Sequence, residues 1–210
     1  MSWNTTQPTT SDPEPASQRD RNRARTRRDI EAAALKLFED GGFQATTVEQ
    51  ITRRAGVSSA TFFRHFKAKE DVLFANDEAA VEELVKFVTA RVDKSATLAA
   101  LADPVASFAK SFLMDATSEA QRLTRLVMTT RDLEARSLRM RLLWEHALTR
   151  SLAAESHYTK PQFDHVLLAG LAVSCLSTAL WEWQQPEDPV DIVTATKRAF
   201  NRAHLVVSSR

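Results

Sequence analysis

Residues 47–66 read TVEQITRRAGVSSATFFRHF, and this stretch decides the fold. Thr47 and Gln50 have the spacing of a capping box, which predicts the start of a short helix. Gly56 is expected to end that helix, and Ser58 is placed to cap a second one. Two short helices joined by a three-residue turn are typical of a helix-turn-helix, whose second helix enters the major groove of DNA.

The second of these helices has one apolar side and one side of small and polar residues. Val57, Phe62 and Phe66 are expected to hold it against the protein. Small residues at its start permit close approach to DNA, and an arginine reaches a phosphate or a guanine edge. The residues left for the outer side are Ser59, Ala60, Thr61, Phe63, Arg64 and His65.

The net charge of the 210-residue chain is +1, but the charge is unevenly distributed. Residues 17–69 carry twelve basic and six acidic side chains, whereas residues 70–210 are mildly acidic. Residues 19–28, RDRNRARTRR, form a basic arm. Such a run alone is more often a solvated surface, but beside a helix-turn-helix it indicates a polyanionic partner. The candidate DNA contacts in the arm are Arg25, Arg27 and Arg28.

The whole chain predicts an all-α fold of about nine helices. Residues 1–17 are rich in Thr, Ser and Pro and are expected to form a disordered tail. Beyond them, apolar residues recur with helical spacing to the end of the chain. A long helix is expected to begin at Lys69, and Asp103 with Pro104 has the pattern of a helix cap followed by the first helical residue.

The sequence does not fit several other classes of protein. Cys175 is the single cysteine, which excludes an internal disulfide and a cysteine-rich zinc module. No phosphate-binding loop, nucleophile elbow or metal-spaced histidine pair occurs, so no cofactor, metal or enzymatic activity is expected. The start of the chain lacks the features of a signal peptide, and the uncharged stretch 166–181 is short for a membrane span. A soluble cytoplasmic protein without a membrane partner is expected.

The N-terminal pattern resembles the DNA-binding domain of TetR-family transcriptional regulators. The matching residues, with the usual spacings and no gap, are Leu37, Phe38, Gly42, Phe43, Thr46, Thr47, Val48, Ile51, Ala55, Gly56, Val57, Ser58, Thr61, Phe62, Phe63, His65, Phe66, Lys69 and Glu70. The resemblance implies an all-helical homodimer in which three N-terminal helices bind DNA and about six C-terminal helices bind a ligand and dimerise. It divides the chain into a DNA-binding domain, residues 18–68, and a ligand-binding and dimerisation domain, residues 69–210.

The resemblance also implies individual DNA contacts. Carried over by position, they fall on Thr47, Ser59, Ala60, Thr61, Phe63, Arg64, His65 and Lys69. We add Ser58, the predicted cap of the second helix. The family usually has a tyrosine where this chain has Phe63, and that hydroxyl commonly reaches a phosphate. The basic arm either follows the minor groove or adds nonspecific affinity.

The C-terminal half offers two candidate surfaces. One is a set of large apolar side chains at helical spacing, which either line an adaptable cavity or form part of the core. Its members are Phe87, Phe108, Phe112, Met114, Leu126, Met128, Met140, Leu143 and Trp144. An arginine among them that turned inward would favour an anionic head group; the four arginines are Arg122, Arg125, Arg139 and Arg141. The second surface permits close helix approach in a dimer or in the monomer core, and its members are Gly170, Ser174, Thr178 and Trp181.

The function expected from these features is a ligand-responsive transcriptional repressor. It would bind a pseudo-palindromic operator in double-stranded DNA as a homodimer and leave it when an apolar or amphipathic small-molecule effector, such as an acyl chain, binds. One alternative is a ligand-independent regulator or activator whose C-terminal half only dimerises, and a fillable cavity would count against it. Another is a helical enzyme or carrier, against which the missing acid–base or nucleophile constellation counts.

Overall fold

The computed structural model describes residues 17–114, 118–185 and 190–208, and these ranges contain nine α-helices and no strand. The helices are α1 Gln18–Gly41, α2 Val48–Ala55, α3 Ser59–His65, α4 Asp77–Thr89, α5 Leu98–Phe108, α6 Ser118–Thr129, α7 Glu134–Glu155, α8 Phe163–Trp183 and α9 Ile192–Ser208. Two 3-10 turns, Glu70–Val72 and Arg131–Leu133, and a π-helical segment, Ala109–Leu113, complete the chain path. The predicted all-α class is confirmed, while the tail before Ser17 lies outside the described residues.

The helix-turn-helix forms through the local signals in its sequence. The Thr47 hydroxyl accepts a hydrogen bond from the Gln50 amide at 3.3 Å, and the Gln50 side chain accepts one from the Thr47 amide at 2.8 Å. Gly56 ends α2 in the left-handed region, with φ of 68°. The Ser58 hydroxyl accepts from the Thr61 amide at 3.1 Å and so caps α3.

The first three helices surround one hydrophobic cluster, the N-terminal cluster. Its members are Ile30, Ala34, Phe38, Phe43, Ile51, Phe62, Phe66, Val72, Leu73, Phe74 and Leu133. Leu133 comes from the turn before α7, far along the chain, and only 1% of its surface is exposed. The cluster therefore extends past the expected domain boundary at residue 68 and includes a residue of the C-terminal half.

The C-terminal helices pack around α8. This helix contacts α5, α7 and α9, and it buries small side chains such as Ala169, Ala172 and Ala179. By length and composition α8 could cross a membrane, but half of its most apolar window is buried inside the bundle. The Cys175 thiol is also buried there, which raises its pKa to about 11 and keeps it protonated at neutral pH.

Two predicted helix starts were wrong. Lys69 does not begin a long helix: a 3-10 turn follows it, and α4 starts at Asp77. The segment between Lys69 and α4 instead packs into the N-terminal cluster, where Val72, Leu73 and Phe74 are all buried. Pro104 lies inside α5 instead of at its first position, because Thr97 caps that helix by accepting from the Ala100 amide at 3.3 Å.

Replacing Gly56 with alanine is expected to destabilise the protein by about 1–2 kcal/mol, because an L side chain is strained at positive φ. No neighbouring atom lies within 4 Å of the added Cβ, so the loss of stability reports backbone strain and not a steric clash. Gly41→Ala is the matched control, since Gly41 also has open space but is not at positive φ. Urea unfolding of the two variants measures the difference. Equal stabilities would contradict the backbone argument.

Candidate nucleic-acid interface and cavity

α3 turns its small and polar residues away from the protein. Phe62 and Phe66 are buried in the N-terminal cluster, and Ser59, Ala60 and Arg64 are exposed. Thr61 and His65 are half-buried. Phe63 has 56% of its surface exposed although it is aromatic. The outer side of α3 is therefore available to a partner, as the residue pattern predicted.

The charge around α3 is positive. Arg25 and Arg28 are exposed on the first turns of α1, so the basic arm is helical here. Burial lowers the pKa of His65, and the nearby charges of Arg64, Arg23 and Arg27 lower it further. His65 is therefore neutral at neutral pH. It can donate or accept a hydrogen bond without adding charge.

Two of the candidate DNA contacts bind protein atoms instead. The Lys69 ammonium donates to the carbonyls of Phe43, Gln44 and Thr46 at 2.7, 3.3 and 2.9 Å, which uses all three of its donors. The Arg27 guanidinium pairs with Glu31 at 2.9 Å and donates to a backbone carbonyl before α4. Within this chain the charged groups of both residues hold the N-terminal domain together. Thr47 and Ser58 are exposed but serve as caps.

A cavity of about 720 Å³ lies between the N-terminal cluster and the C-terminal bundle. That volume is within the range of small-molecule sites. Four of the predicted ligand contacts line it, namely Phe112, Met128, Met140 and Trp144. The other five lie elsewhere. Phe108 and Met114 are buried in the C-terminal core, Phe87 packs against that core, Leu126 packs against the N-terminal cluster, and Leu143 borders a separate polar cleft.

Part of the cavity wall belongs to the N-terminal cluster. Leu73 and Phe74 are members of the cluster and also line the cavity. Leu123 and Val127 of α6 line the cavity and pack against the same cluster. The sequence did not predict these four residues as cavity-lining, because their position depends on how α6 meets the first helices.

The candidate dimer surface lies along α8. Ser174, Thr178 and Trp181 are exposed, and Gly170 is half-buried. The same side of the helix also exposes large apolar side chains that the prediction did not include, namely Phe163, Val166 and Leu167. Residues at these spacings share one helix face, so α8 presents a continuous, largely apolar surface to solvent.

Asp77 lies between the cavity and the polar cleft and lines both. Burial raises its pKa to about 6, and the neighbouring Arg136 and Arg139 only partly offset that effect. Arg136 is itself bound to Asp71 at 3.0 Å and lies over the Phe74 ring. At neutral pH the folded protein therefore holds a half-buried carboxylate that would be more stable in water.

Asp77→Asn is expected to stabilise the protein by about 1–2 kcal/mol at pH 8. The folded-state pKa of about 6 is above the ordinary value of 3.8, so the cost of the charge is present above pH 6. The gain should shrink as the pH falls from about 6 toward 3.8, and only about a third of it should remain at pH 4.5. Thermal unfolding at pH 8 and pH 4.5 measures it, with Glu82→Gln, exposed on the same helix, as control. An Asn variant no more stable than the parent at pH 8 would contradict this account.

Comparison with known proteins agrees with this geometry. Residues 30–75, from the middle of α1 to the turn before α4, match the family of bacterial regulatory proteins called the tetR family. The transcriptional regulator MftR of Mycobacterium tuberculosis is 24% identical over 184 residues, which is 86% of this chain and 90% of MftR.

Solved structures share the fold over most of the chain. A TetR-family protein from Syntrophomonas wolfei superimposes with a TM-score of 0.64 at 14% identity, over 87% of this chain and 95% of its own. SmeT is a protein of Stenotrophomonas maltophilia. Its complex with triclosan superimposes with a TM-score of 0.63 at 20% identity, and the match covers 87% of this chain and 91% of SmeT. At these identities the likeness concerns the fold. The matched residues 30–75 identify the first part of the chain as a DNA-binding domain of the tetR family of bacterial regulatory proteins, and the chain as a whole has the fold of TetR-family transcriptional regulators.

Proposed function

We propose that this regulator is a ligand-responsive repressor that binds DNA as a homodimer and leaves it when a small apolar or amphipathic molecule fills the cavity. The observation that carries the proposal is the shared wall, in which Leu73 and Phe74 belong to the N-terminal cluster and also line the cavity. SmeT, which has the same fold, is a repressor of an efflux pump and has been seen in complex with triclosan.

The proposed DNA contacts are centred on α3. Ser59 and Ala60 let the start of the helix approach the groove, and Arg64 reaches a phosphate or a guanine. Phe63 packs against a sugar or a thymine methyl. The basic arm is helical, so Arg25 and Arg28 add general attraction to phosphates rather than the reach of an extended minor-groove arm.

The proposed response to ligand runs through α6 and the turn before α7. A ligand in the cavity touches Leu123 and Val127, which pack against the N-terminal cluster on their other side. Arg122 of α6 also pairs with Glu39 of α1 at 3.3 Å. A ligand that favours another position of α6 therefore moves the first three helices relative to the bundle. Such a ligand shifts the population toward a conformer that no longer fits the operator.

The proposed dimer forms through the exposed face of α8. Two recognition helices held by such a dimer lie about one DNA turn apart, roughly 34–36 Å, and read a pseudo-palindrome. An apolar face this continuous is costly to leave in water. The cavity also counts against the alternative of a regulator whose C-terminal half only dimerises, because that function needs no cavity of this size.

Arg64→Ala is expected to weaken specific DNA binding by about 1–3 kcal/mol, the usual value of one good base contact. The measurement is fluorescence anisotropy with a duplex that the unmodified protein selects from a random library. Lys86→Ala is the control, because Lys86 is exposed on α4 and pairs only locally with Glu83 at 2.8 Å. Unchanged affinity of the Arg64 variant would remove this residue from the contacts.

Ser174→Arg is expected to convert the dimer into a monomer, because it places a charge in the centre of the apolar α8 face. Ser174 is exposed within one chain, so the substitution should leave the fold intact. Sedimentation equilibrium measures the mass, and circular dichroism checks the helix content. Thr89→Arg, at an exposed end of α4, is the control. A Ser174 variant that remains a dimer would place the interface elsewhere.

A further inference from the structure

Three side chains on one face of α7 line the cavity and share an unusual property. Ser137, Arg141 and Trp144 are spaced by four and three residues, which places them on the same side of the helix. The Ser137 hydroxyl, the Arg141 Nε and the Trp144 Nε1 are all buried, and none has a hydrogen-bond partner among the described residues. We call these three residues the donor row.

Unpartnered buried donors are rare because each costs free energy that a hydrogen bond would recover. Trp144 has 6% of its surface exposed, so water does not reach its indole freely. Three such donors in succession, all on the wall of one cavity, indicate an acceptor that is bound there. Much of the rest of the wall is apolar, with Phe112, Leu123 and Val127 among its residues.

The charges around the cavity favour an anion over a cation. Arg141 is half-buried, and no described carboxylate lies within ion-pair distance of its guanidinium. Asp77, the half-buried acid of the cavity, already has the charges of Arg136 and Arg139 beside it. Glu134 and Arg131 are exposed at the rim, where water screens them. Among the described residues of the cavity wall, the half-buried charge that lacks a counter-ion is therefore the positive charge of Arg141.

We infer that the cavity binds an amphipathic molecule through a carboxylate held by the donor row, with its apolar chain against Phe112, Leu123 and Val127. The carboxylate accepts hydrogen bonds from all three donors and neutralises Arg141. This inference rests on the proposed ligand response for its regulatory meaning, but the binding itself is a separate property of the cavity.

The test compares three probes that differ only at the polar end: decanoate, decanol and decylamine, each below its aggregation concentration. Isothermal titration calorimetry with the full chain is expected to show decanoate binding at least tenfold more tightly than decanol or decylamine. Arg141→Met should abolish this preference, and Arg141→Lys should keep part of it. Ser137→Ala, a milder change, should reduce decanoate affinity severalfold without affecting decanol. Arg150→Met, exposed on the same helix, is the matched control and should bind like the parent.

The outcomes separate this inference from the proposed function. Equal binding of decanoate and decanol, binding of none of the three probes, or a preference that survives in Arg141→Met overturns the carboxylate site. Decanoate binding with the expected dependence on Arg141, but with unchanged DNA affinity in a parallel anisotropy assay, supports the site and contradicts the proposed ligand response. Decanoate binding that also releases DNA supports both.

Discussion

The packing of Leu73, Phe74 and Leu133 into the N-terminal cluster is the constraint on which the rest of the structure depends. These residues lie outside the three helices that form the DNA-binding unit, yet each is less than 9% exposed. Because interiors are close-packed, the recognition helix cannot change its position without disturbing them. Two of the three also form part of the cavity wall, and this shared wall is the contact on which the proposed ligand response depends.

The charges of the N-terminal domain serve two purposes, and the structure separates them. Lys69 donates to backbone carbonyls of the turn between α1 and α2, and Arg27 of α1 donates to a carbonyl before α4, so both hold the segment after α3 in place. Arg25, Arg28 and Arg64 remain exposed and supply the field that attracts a polyanion. A count of basic residues alone would have assigned all five to DNA.

Much of the N-terminal domain was predictable because its signals are local. The capping box at Thr47, the helix end at Gly56 and the Ser58 cap each depend on residues within a few positions, and all three were confirmed. The interruption after Lys69 was not predictable, because Val72 to Phe74 leave the helical pattern in order to fill a cluster built from distant residues. At that point the burial of apolar side chains outweighs the helix propensity of the segment.

The cavity was harder to predict for the same reason. Phe112, Met140 and Trp144 were found because large apolar side chains at helical spacing are used in cores and cavities alike. Leu126 has the same spacing but faces the N-terminal cluster, and the choice depends on a rotation of α6 that no sequence pattern encodes. Ser137 was not predicted, and Arg141 was one of four arginines that could have turned inward; only the tertiary packing leaves the donors of these two residues buried without partners among the described residues.

The most direct test of the account is binding of the full chain to the DNA immediately upstream of its own gene, compared with a shuffled duplex of equal length. Fluorescence anisotropy at two salt concentrations measures both affinities. The account predicts tight, sequence-selective binding whose affinity falls steeply with salt, because base contacts from α3 and phosphate contacts from the basic arm act together. Equal affinity for both duplexes at either salt concentration would contradict it, because only the nonspecific attraction of the arm would then be acting.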